Sequence, residues 1–319
     1  MTYIILILSL VLLVVGANWL VDGSAAIARR YHISEYIIGA TIVGMGTSTP
    51  ELVVSVISSI EGYNDIAIGN IVGSNIFNVF LILGITALMA PIEYTRDNIR
   101  RDIPINIGAS VVVIALCALS IVWRGEYGLG RIDGLLMLLL FVLYLWSSLR
   151  EGRNQQTTTN ETTEVPTSCY RHTIVCVIAI IVGLAALIYG GSLFVDSASA
   201  IAREWGVSEA IIGLTIVAGG TSLPELVSSI IAVSKKKGQM ALGNIVGSNI
   251  FNLLFILGTA STISPLTMGG ITFVDWGVML LSALALLTAS ITFEKHQLDR
   301  KDALFFLLIY AGYMVWLCL

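Results

Sequence analysis

The chain has 319 residues, a length that ordinarily gives about two soluble domains, yet 56% of it is hydrophobic and only 12% is charged. A mean hydropathy of +0.89 lies outside the soluble range and points to an integral membrane protein whose main surroundings are the lipid bilayer. The net charge of −4 says little alone, since in a membrane protein the placement of Lys and Arg matters more than their balance; no nucleic-acid partner is expected.

Ten apolar runs, each about as long as a helix that crosses a bilayer, fall near 3–21, 35–60, 66–90, 103–123, 132–149, 173–195, 208–234, 239–263, 272–293 and 303–319. The first has no basic residues before it, so it reads as a helix and not as a signal peptide. Between the fifth and sixth runs, EGRNQQTTTNETTEVPTS at 151–168 is polar and Thr-rich and reads as a flexible linker. The expected organisation is an all-α membrane protein of ten transmembrane helices: a first five-helix repeat over 1–150, the linker over 151–168, and a second, inverted five-helix repeat over 169–319. Every Lys and Arg except Arg124, Arg131 and Arg203 lies in or beside a loop that follows an odd-numbered run. By the positive-inside rule those loops and the linker are cytoplasmic and both termini are outside, in the cell (inner) membrane. An odd number of spans per repeat turns the second half upside down, as in many secondary transporters.

The duplication is explicit. Residues 69–78 read GNIVGSNIFN and residues 243–252 read the same, while GTSTPE at 46–51 recurs as GTSLPE at 220–225, both displaced by 174 positions. Glu51 is the lone ionisable group in IIGATIVGMGTSTPELVVSVISSI, which places it near mid-membrane. Ser48 to Glu51, with Pro50 in the first turn, has the form of a capping box. A cap at that depth implies a helix that stops and restarts, tolerated only where the broken backbone is buried in protein or lines a wet cavity. Pro50 removes one backbone donor and loosens the turn over Gly44 to Thr47, so carbonyls there are expected to lack partners; Pro224 does the same for Ala218 to Thr221. An ionised carboxylate in the membrane is expensive and is by default a functional candidate. Glu51 and Glu225 have no Lys or Arg in a nearby span, so their counter-charge is expected to be a cation from solution.

The second phrase supplies neighbours for that cation. Ser74 and Asn78 share a helix face with Asn70 one turn back, as do Ser248, Asn252 and Asn244. Asn75 and Asn249 are expected to point elsewhere as packing residues, and Gly69, Gly73, Gly243 and Gly247 to let a helix approach closely. Carboxylates, hydroxyls, amide oxygens and carbonyls together suit a hard cation such as calcium or sodium. Cys117, Cys169, Cys176 and Cys318 show no CxxC pairing and read as small packing residues. His32, His172 and His296 lie at helix ends or in loops. Ser34 with Glu35, and Ser208 with Glu209, read as helix starts, and Asp22, Asp196, Arg29 and Arg203 as the ends of spans and the connections after them. No span contains His beside Ser, so a hydrolase is not expected, and the chain reads as no enzyme and without a cofactor.

GTSTPE followed by GNIVGSNIFN, repeated as GTSLPE and GNIVGSNIFN, resembles the two alpha repeats of the calcium/cation antiporter superfamily, in particular its prokaryotic sodium/calcium exchanger branch, over essentially the whole chain. The resemblance implies ten helices in two inverted repeats, with broken second and seventh helices, and alternating-access exchange of Ca²⁺ for Na⁺ in which the first and sixth helices slide across the other eight. It implies that Glu51 and Glu225, joined by Thr47 and Thr221, carry calcium. It further implies that the carbonyls of Gly44 and Ala218, with Ser48, Ser222, Ser74, Ser248 and Asn78, complete the sodium and calcium sites. Some family members carry Asp where this chain has Asn252, so the ion ratio stays open. A proton-driven exchanger using the same glutamates is the alternative.

Overall fold

The computed structural model describes residues 2–125, 127–154, 172–207, 212, 216, 218–267, 270–292 and 297–318. Most of the expected linker, together with Cys169, Ser208, Glu209 and His296, lies outside them. In chain order the helices are α1 (Thr2–Arg30), α2 (Glu35–Thr47), α3 (Thr49–Ile60), α4 (Asn64–Met89), α5 (Asn98–Val122), α6 (Arg131–Asn154), α7 (Thr173–Glu204), α8 (Leu223–Ser234), α9 (Gly238–Ile263), α10 (Phe273–Thr292) and α11 (Arg300–Cys318). Among the described residues seven helices are long and apolar enough to cross a membrane, and the bent pair α2 and α3 raises this to eight. Of the run expected over 208–234, the continuous helix described is α8, because most residues before it lie outside the description. Helix α6 continues to residue 154, into the segment expected to be linker.

Burial follows the apolar pattern and assigns each helix a solvent. The spans bearing the duplicated decapeptide, α4 and α9, have 72% and 94% of their apolar windows buried, against 33% for α1. They form the centre, and α1, α6 and α7 surround it. Exposed Ile4, Ile7, Leu8, Leu139, Leu143 and Ile181 make outer faces far more apolar than water tolerates over such an area, as expected of surfaces that meet lipid tails. Cys117 and Cys176 pack in the apolar core. On the outer side of α4, Phe80 meets Phe306 of α11 edge-on with ring centroids 5.6 Å apart, a contact worth about 0.5–1.5 kcal/mol beyond its buried area.

Glycines set how closely the helices approach, because without a hydrophobic drive between spans, close backbone packing must hold them together. The long helices α1 and α7 cross antiparallel: a Cβ on Gly16 would lie 2.8 Å from the Gly183 carbonyl, and one on Gly23 would lie 2.9 Å from the Cys176 carbonyl. Helix α2 lies on α9 just as tightly. A Cβ on Gly44 would meet the Asn244 carbonyl at 2.8 Å, and one on Gly247 would collide with the Ala40 backbone, its carbonyl carbon at 2.6 Å. Two short antiparallel strand pairs close the ends of the bundle. Strand β1 (Ile92–Glu93) pairs with β4 (Gln297–Leu298), and β2 (Gly128–Leu129) pairs with β3 (Leu266–Thr267).

The break between α2 and α3 has a local cause. Pro50 sits in the first turn of α3 and Ser48 leaves helical geometry at φ −79°, ψ 11°, bending the pair by 46°. Ser222, ahead of Pro224, has nearly the same backbone at φ −90°, ψ 9°. Immediately after the shared GNIVGSNI, both copies widen into π-helical turns, Phe77–Leu83 in α4 and Phe251–Ile256 in α9. Such widened turns frequently mark functional positions because they displace side chains from the regular α register.

The contrast between equivalent glycines is measurable. Gly247→Ala forces a methyl into the Ala40 backbone and is expected to destabilise by about 1–3 kcal/mol, the usual range for overpacking. Among the described residues Gly73, its counterpart in α4, has nothing within 4 Å of an added Cβ, so Gly73→Ala should leave stability unchanged or raised. Thermal unfolding of the purified variants in detergent checks this; equal shifts would contradict the packing described.

Candidate functional site

Glu51, the residue after Pro50, and Glu225, the residue after Pro224, lie at the centre of the bundle with 1% and 0% of their surface exposed. The capping box expected from the sequence does not form. Neither Ser48 nor Ser222 caps its own helix; each serine reaches across to the other half. Ser48 Oγ donates to Glu225 Oε1 at 2.8 Å and Ser222 Oγ donates to Glu51 Oε1 at 3.0 Å. Capping is a local rule, and here the hydroxyl is turned toward a carboxylate of the facing half instead of the first turn of its own helix. Thr221 and Thr47 lie beside the same two carboxylates.

The exchange between halves continues outward from the carboxylates. Thr47 Oγ1 donates to Asn244 Oδ1 at 3.2 Å, and Thr221 Oγ1 to Asn70 Oδ1 at 3.4 Å. Asn70 and Asn244 in turn donate to the backbone carbonyls of Glu51 and Glu225, at 3.2 and 3.4 Å. Both asparagines also hold serines of α3 and α8, Ser55 in the first case and Ser228 and Ser229 in the second. The two glutamates are thereby fixed from backbone and side chain at once.

Asn75 and Asn249, expected to point away, belong to this centre. Asn78 Nδ2 donates to Asn249 Oδ1 at 3.0 Å and Asn252 Nδ2 to Asn75 Oδ1 at 3.1 Å. Asn75 and Asn249 each donate to the other's backbone carbonyl at 3.4 Å. Asn75 and Asn78 form an i, i+3 pair that shares a helix face as well as the i, i+4 pair of Ser74 and Asn78 does. That spacing was the available signal.

The loosened carbonyls are also fewer than expected. Gly44 O accepts from Ser48 N at 3.1 Å and from Ser248 Oγ at 3.1 Å. The α2 turn closes before the chain breaks, so the opening falls at Ser48. Ala218 begins the short helical turn Ala218–Gly220.

Among the described residues, five buried oxygens of these side chains have no hydrogen-bond partner: Glu51 Oε2, Glu225 Oε2, Ser74 Oγ, Asn78 Oδ1 and Asn252 Oδ1. Buried polar atoms are nearly always satisfied, and these are predominantly acceptors. Among the described residues no group of three or more His, Cys, Asp and Glu could hold a metal ion, so a soft or transition-metal centre has no ligand set there. Hydroxyl, amide and carboxylate oxygens are what a hard cation coordinates.

The two halves of the centre differ in access. Thr47 and Asn244 are buried at 0% and 1% exposure, while their counterparts Thr221 and Asn70 are half-buried and Gly73 is exposed. The sealed side is also held by ion pairs at 2.7 Å, Lys237 Nζ with Glu35 and Lys235 Nζ with Asp22. Ser34 caps α2 there, accepting from Ile37 N at 3.3 Å.

The description "Sodium/calcium exchanger protein" fits residues 1–150 and 175–319. Over 342 residues the chain is 31% identical to the sodium/calcium exchanger MaX1 of Methanosarcina acetivorans, covering 98% of this chain and 97% of that one. It is 35% identical over 320 residues to the inner membrane protein YrbG of Escherichia coli K12, covering 99% and 95%. The fold superposes on the solved sodium-calcium exchanger NCX_Mj, soaked with 2.5 mM Na⁺ and 1 mM Sr²⁺, with a TM-score of 0.82 at 32% identity, covering 98% and 97%. A helical membrane protein with a buried oxygen-rich centre built from two copies of one motif, this chain belongs to the sodium/calcium exchanger family.

Proposed function

We propose that the chain exchanges Ca²⁺ for Na⁺ across the cell membrane through one oxygen cage that opens alternately to the two sides. The observation that carries this reading is the set of five unpartnered buried oxygens, which includes one from each glutamate. Two carboxylates match one Ca²⁺ in charge. Glu51, Glu225, Thr47 and Thr221 form the calcium position in this reading, with Ser48, Ser222, Ser74, Ser248, Asn78, Asn252 and the carbonyls of Gly44 and Ala218 completing the sodium and calcium positions. Ser248 and the Gly44 carbonyl, bonded to each other at 3.1 Å, part to admit an ion; Ser74, the counterpart of Ser248, has no partner to give up.

Coupling follows from desolvation. An empty cage holds two buried acids without counter-charge, at an effective penalty of several kcal/mol per ion. That raises the barrier to switching faces until cations occupy the site, so one ion crosses only when another returns. The chain is read as two inverted five-helix repeats over 1–150 and 169–319, joined by a cytoplasmic linker over 151–168, with both termini outside and the second and seventh spans broken. The antiparallel crossing of α1 and α7, the reciprocal Ser–Glu bonds and the strand pairs that join loops of like parity support it. With that orientation the half sealed by Gly247, Lys235 and Lys237 is cytoplasmic, and the accessible half around Gly73 faces outward.

Calcium flux into proteoliposomes, measured under separate Na⁺, K⁺ and H⁺ gradients, tests the reading: a sodium gradient alone should drive uptake, and uptake driven by a proton gradient alone would install the glutamates as proton carriers. Glu51→Gln and Glu225→Gln should each reduce calcium flux to background while the protein stays folded, because Gln keeps the shape and removes the charge. Robust flux by either variant would take that residue out of the site.

Position 252 yields a signed pH dependence. Asn252 Nδ2 donates to Asn75 Oδ1, so an aspartate there can keep the bond only as the protonated acid. Asn252→Asp should therefore resemble the wild type at low pH and depart from it as pH rises, gaining sensitivity to K⁺ or an altered sodium dependence. The wild type should need no K⁺. Sodium and potassium titrations at several pH values check this, and identical profiles for the two proteins would place residue 252 outside the cage.

A further inference from the structure

An asparagine can serve a cation only if its oxygen faces the ion. The amide oxygen and nitrogen are nearly the same size, so an unrestrained side chain can flip and present an NH₂ group, which repels the ion. What holds the amide is therefore as important as the amide itself. At Asn78 and Asn252 the nitrogen is engaged, by Asn249 Oδ1 at 3.0 Å and Asn75 Oδ1 at 3.1 Å, and the oxygen is left without a partner. The holders are in turn held. Asn249 Nδ2 donates to the Asn75 backbone carbonyl, and Asn75 Nδ2 donates to the Asn249 backbone carbonyl, each at 3.4 Å. A backbone carbonyl can only accept, so it fixes the polarity of the sequence: carbonyl oxygen, holder nitrogen, holder oxygen, ligand nitrogen, ligand oxygen. All four side chains are at most 2% exposed, which leaves little room for solvent to substitute for any member.

We propose that Asn75 and Asn249 are positioning residues that set cation affinity without touching the cation, each orienting the amide of an asparagine in the other half, Asn252 and Asn78 respectively. The proposal rests on the reading that Asn78 and Asn252 are cage ligands. It assigns a role to the one part of the duplicated phrase that packing alone leaves unexplained: a purely structural contact between α4 and α9 needs no defined direction, whereas these four bonds all run toward two free oxygens. Partners behind a metal ligand are typically worth about 10–100-fold in affinity, and the effect here should fall in that range.

The test uses the full-length protein in proteoliposomes, with KM and maximal rate measured for Ca²⁺ at fixed sodium gradient. Asn75→Ala and Asn249→Ala should raise the calcium KM by about 10–100-fold with a smaller change in maximal rate. The double variants decide between positioning and bulk destabilisation: Asn75→Ala should add little once Asn252→Ala is present, and Asn249→Ala should add little on Asn78→Ala, because the amide to be oriented is already gone. If Asn75→Ala fails to fold, Asn75→Ser keeps a hydroxyl for the Asn249 carbonyl, is too short to hold Asn252, and should raise KM in the same way. Unchanged KM in Asn75→Ala or Asn75→Ser, or effects that multiply in the double variants, would overturn the positioning role while leaving the cage intact. Unchanged KM in Asn78→Ala and Asn252→Ala singly would instead remove the ligands, and with them both this proposal and that part of the cage.

Discussion

Two carboxylates buried at the middle of a membrane protein, with no basic side chain to balance them, are the constraint on which the rest of this structure depends. Glu51 and Glu225 are almost wholly withdrawn from solvent, and a charge so placed is tolerated only with pairing or a mobile counter-ion. The chain supplies partial compensation in the form of dipoles, since each carboxylate takes one hydroxyl from the opposite half and leaves its other oxygen open. In the proposed function full compensation is left to ions that come and go, and a transport site differs from a structural ion pair in just this respect.

The duplication turns that constraint into an architecture. The carboxylates take their hydroxyl partners from across the interface: Ser48 serves Glu225, Ser222 serves Glu51, and each outer asparagine receives a threonine from the other half. Glycines make the reach short enough. Helix α9 presses Gly243 and Gly247 onto the backbone of α2, and α1 presses Gly16 onto α7. The two copies are not held equally, however. Side chains of Lys235 and Lys237 brace the half in which α2 meets α9, while among the described residues nothing lies within 4 Å of a Cβ on the matching glycine in α4. One sequence motif in two environments gives a closed side and an accessible side.

Much of this was legible in the chain. The repeated decapeptide, the two GTS-x-PE phrases and the apolar runs point to the apolar spans, to the break at Ser48 and to two buried glutamates, because those signals depend on composition and on residues close in sequence. What the sequence concealed was long-range. Ser48 and Glu51 satisfy the local grammar of a capping box, and only the facing half reveals that the hydroxyl is used elsewhere. Asn75 and Asn249 read from the sequence as packing residues with interhelical hydrogen bonds; the structure shows those bonds and adds that each amide oxygen accepts from a further asparagine supplied by the facing half. The Gly44 carbonyl was expected to be open because of Pro50, yet the α2 turn closes over it and Ser248 adds a bond from across the interface.

The central claim is that one cage between Glu51 and Glu225 holds the transported cations in competition. Anomalous diffraction from crystals soaked in strontium, an electron-dense stand-in for calcium, tests it most directly. A single strong peak within coordination distance of Glu51 Oε2 and Glu225 Oε2, lost progressively as sodium in the soak is raised, is the result this account predicts. A strontium peak elsewhere in the molecule, or one between the glutamates that sodium fails to displace, would contradict it.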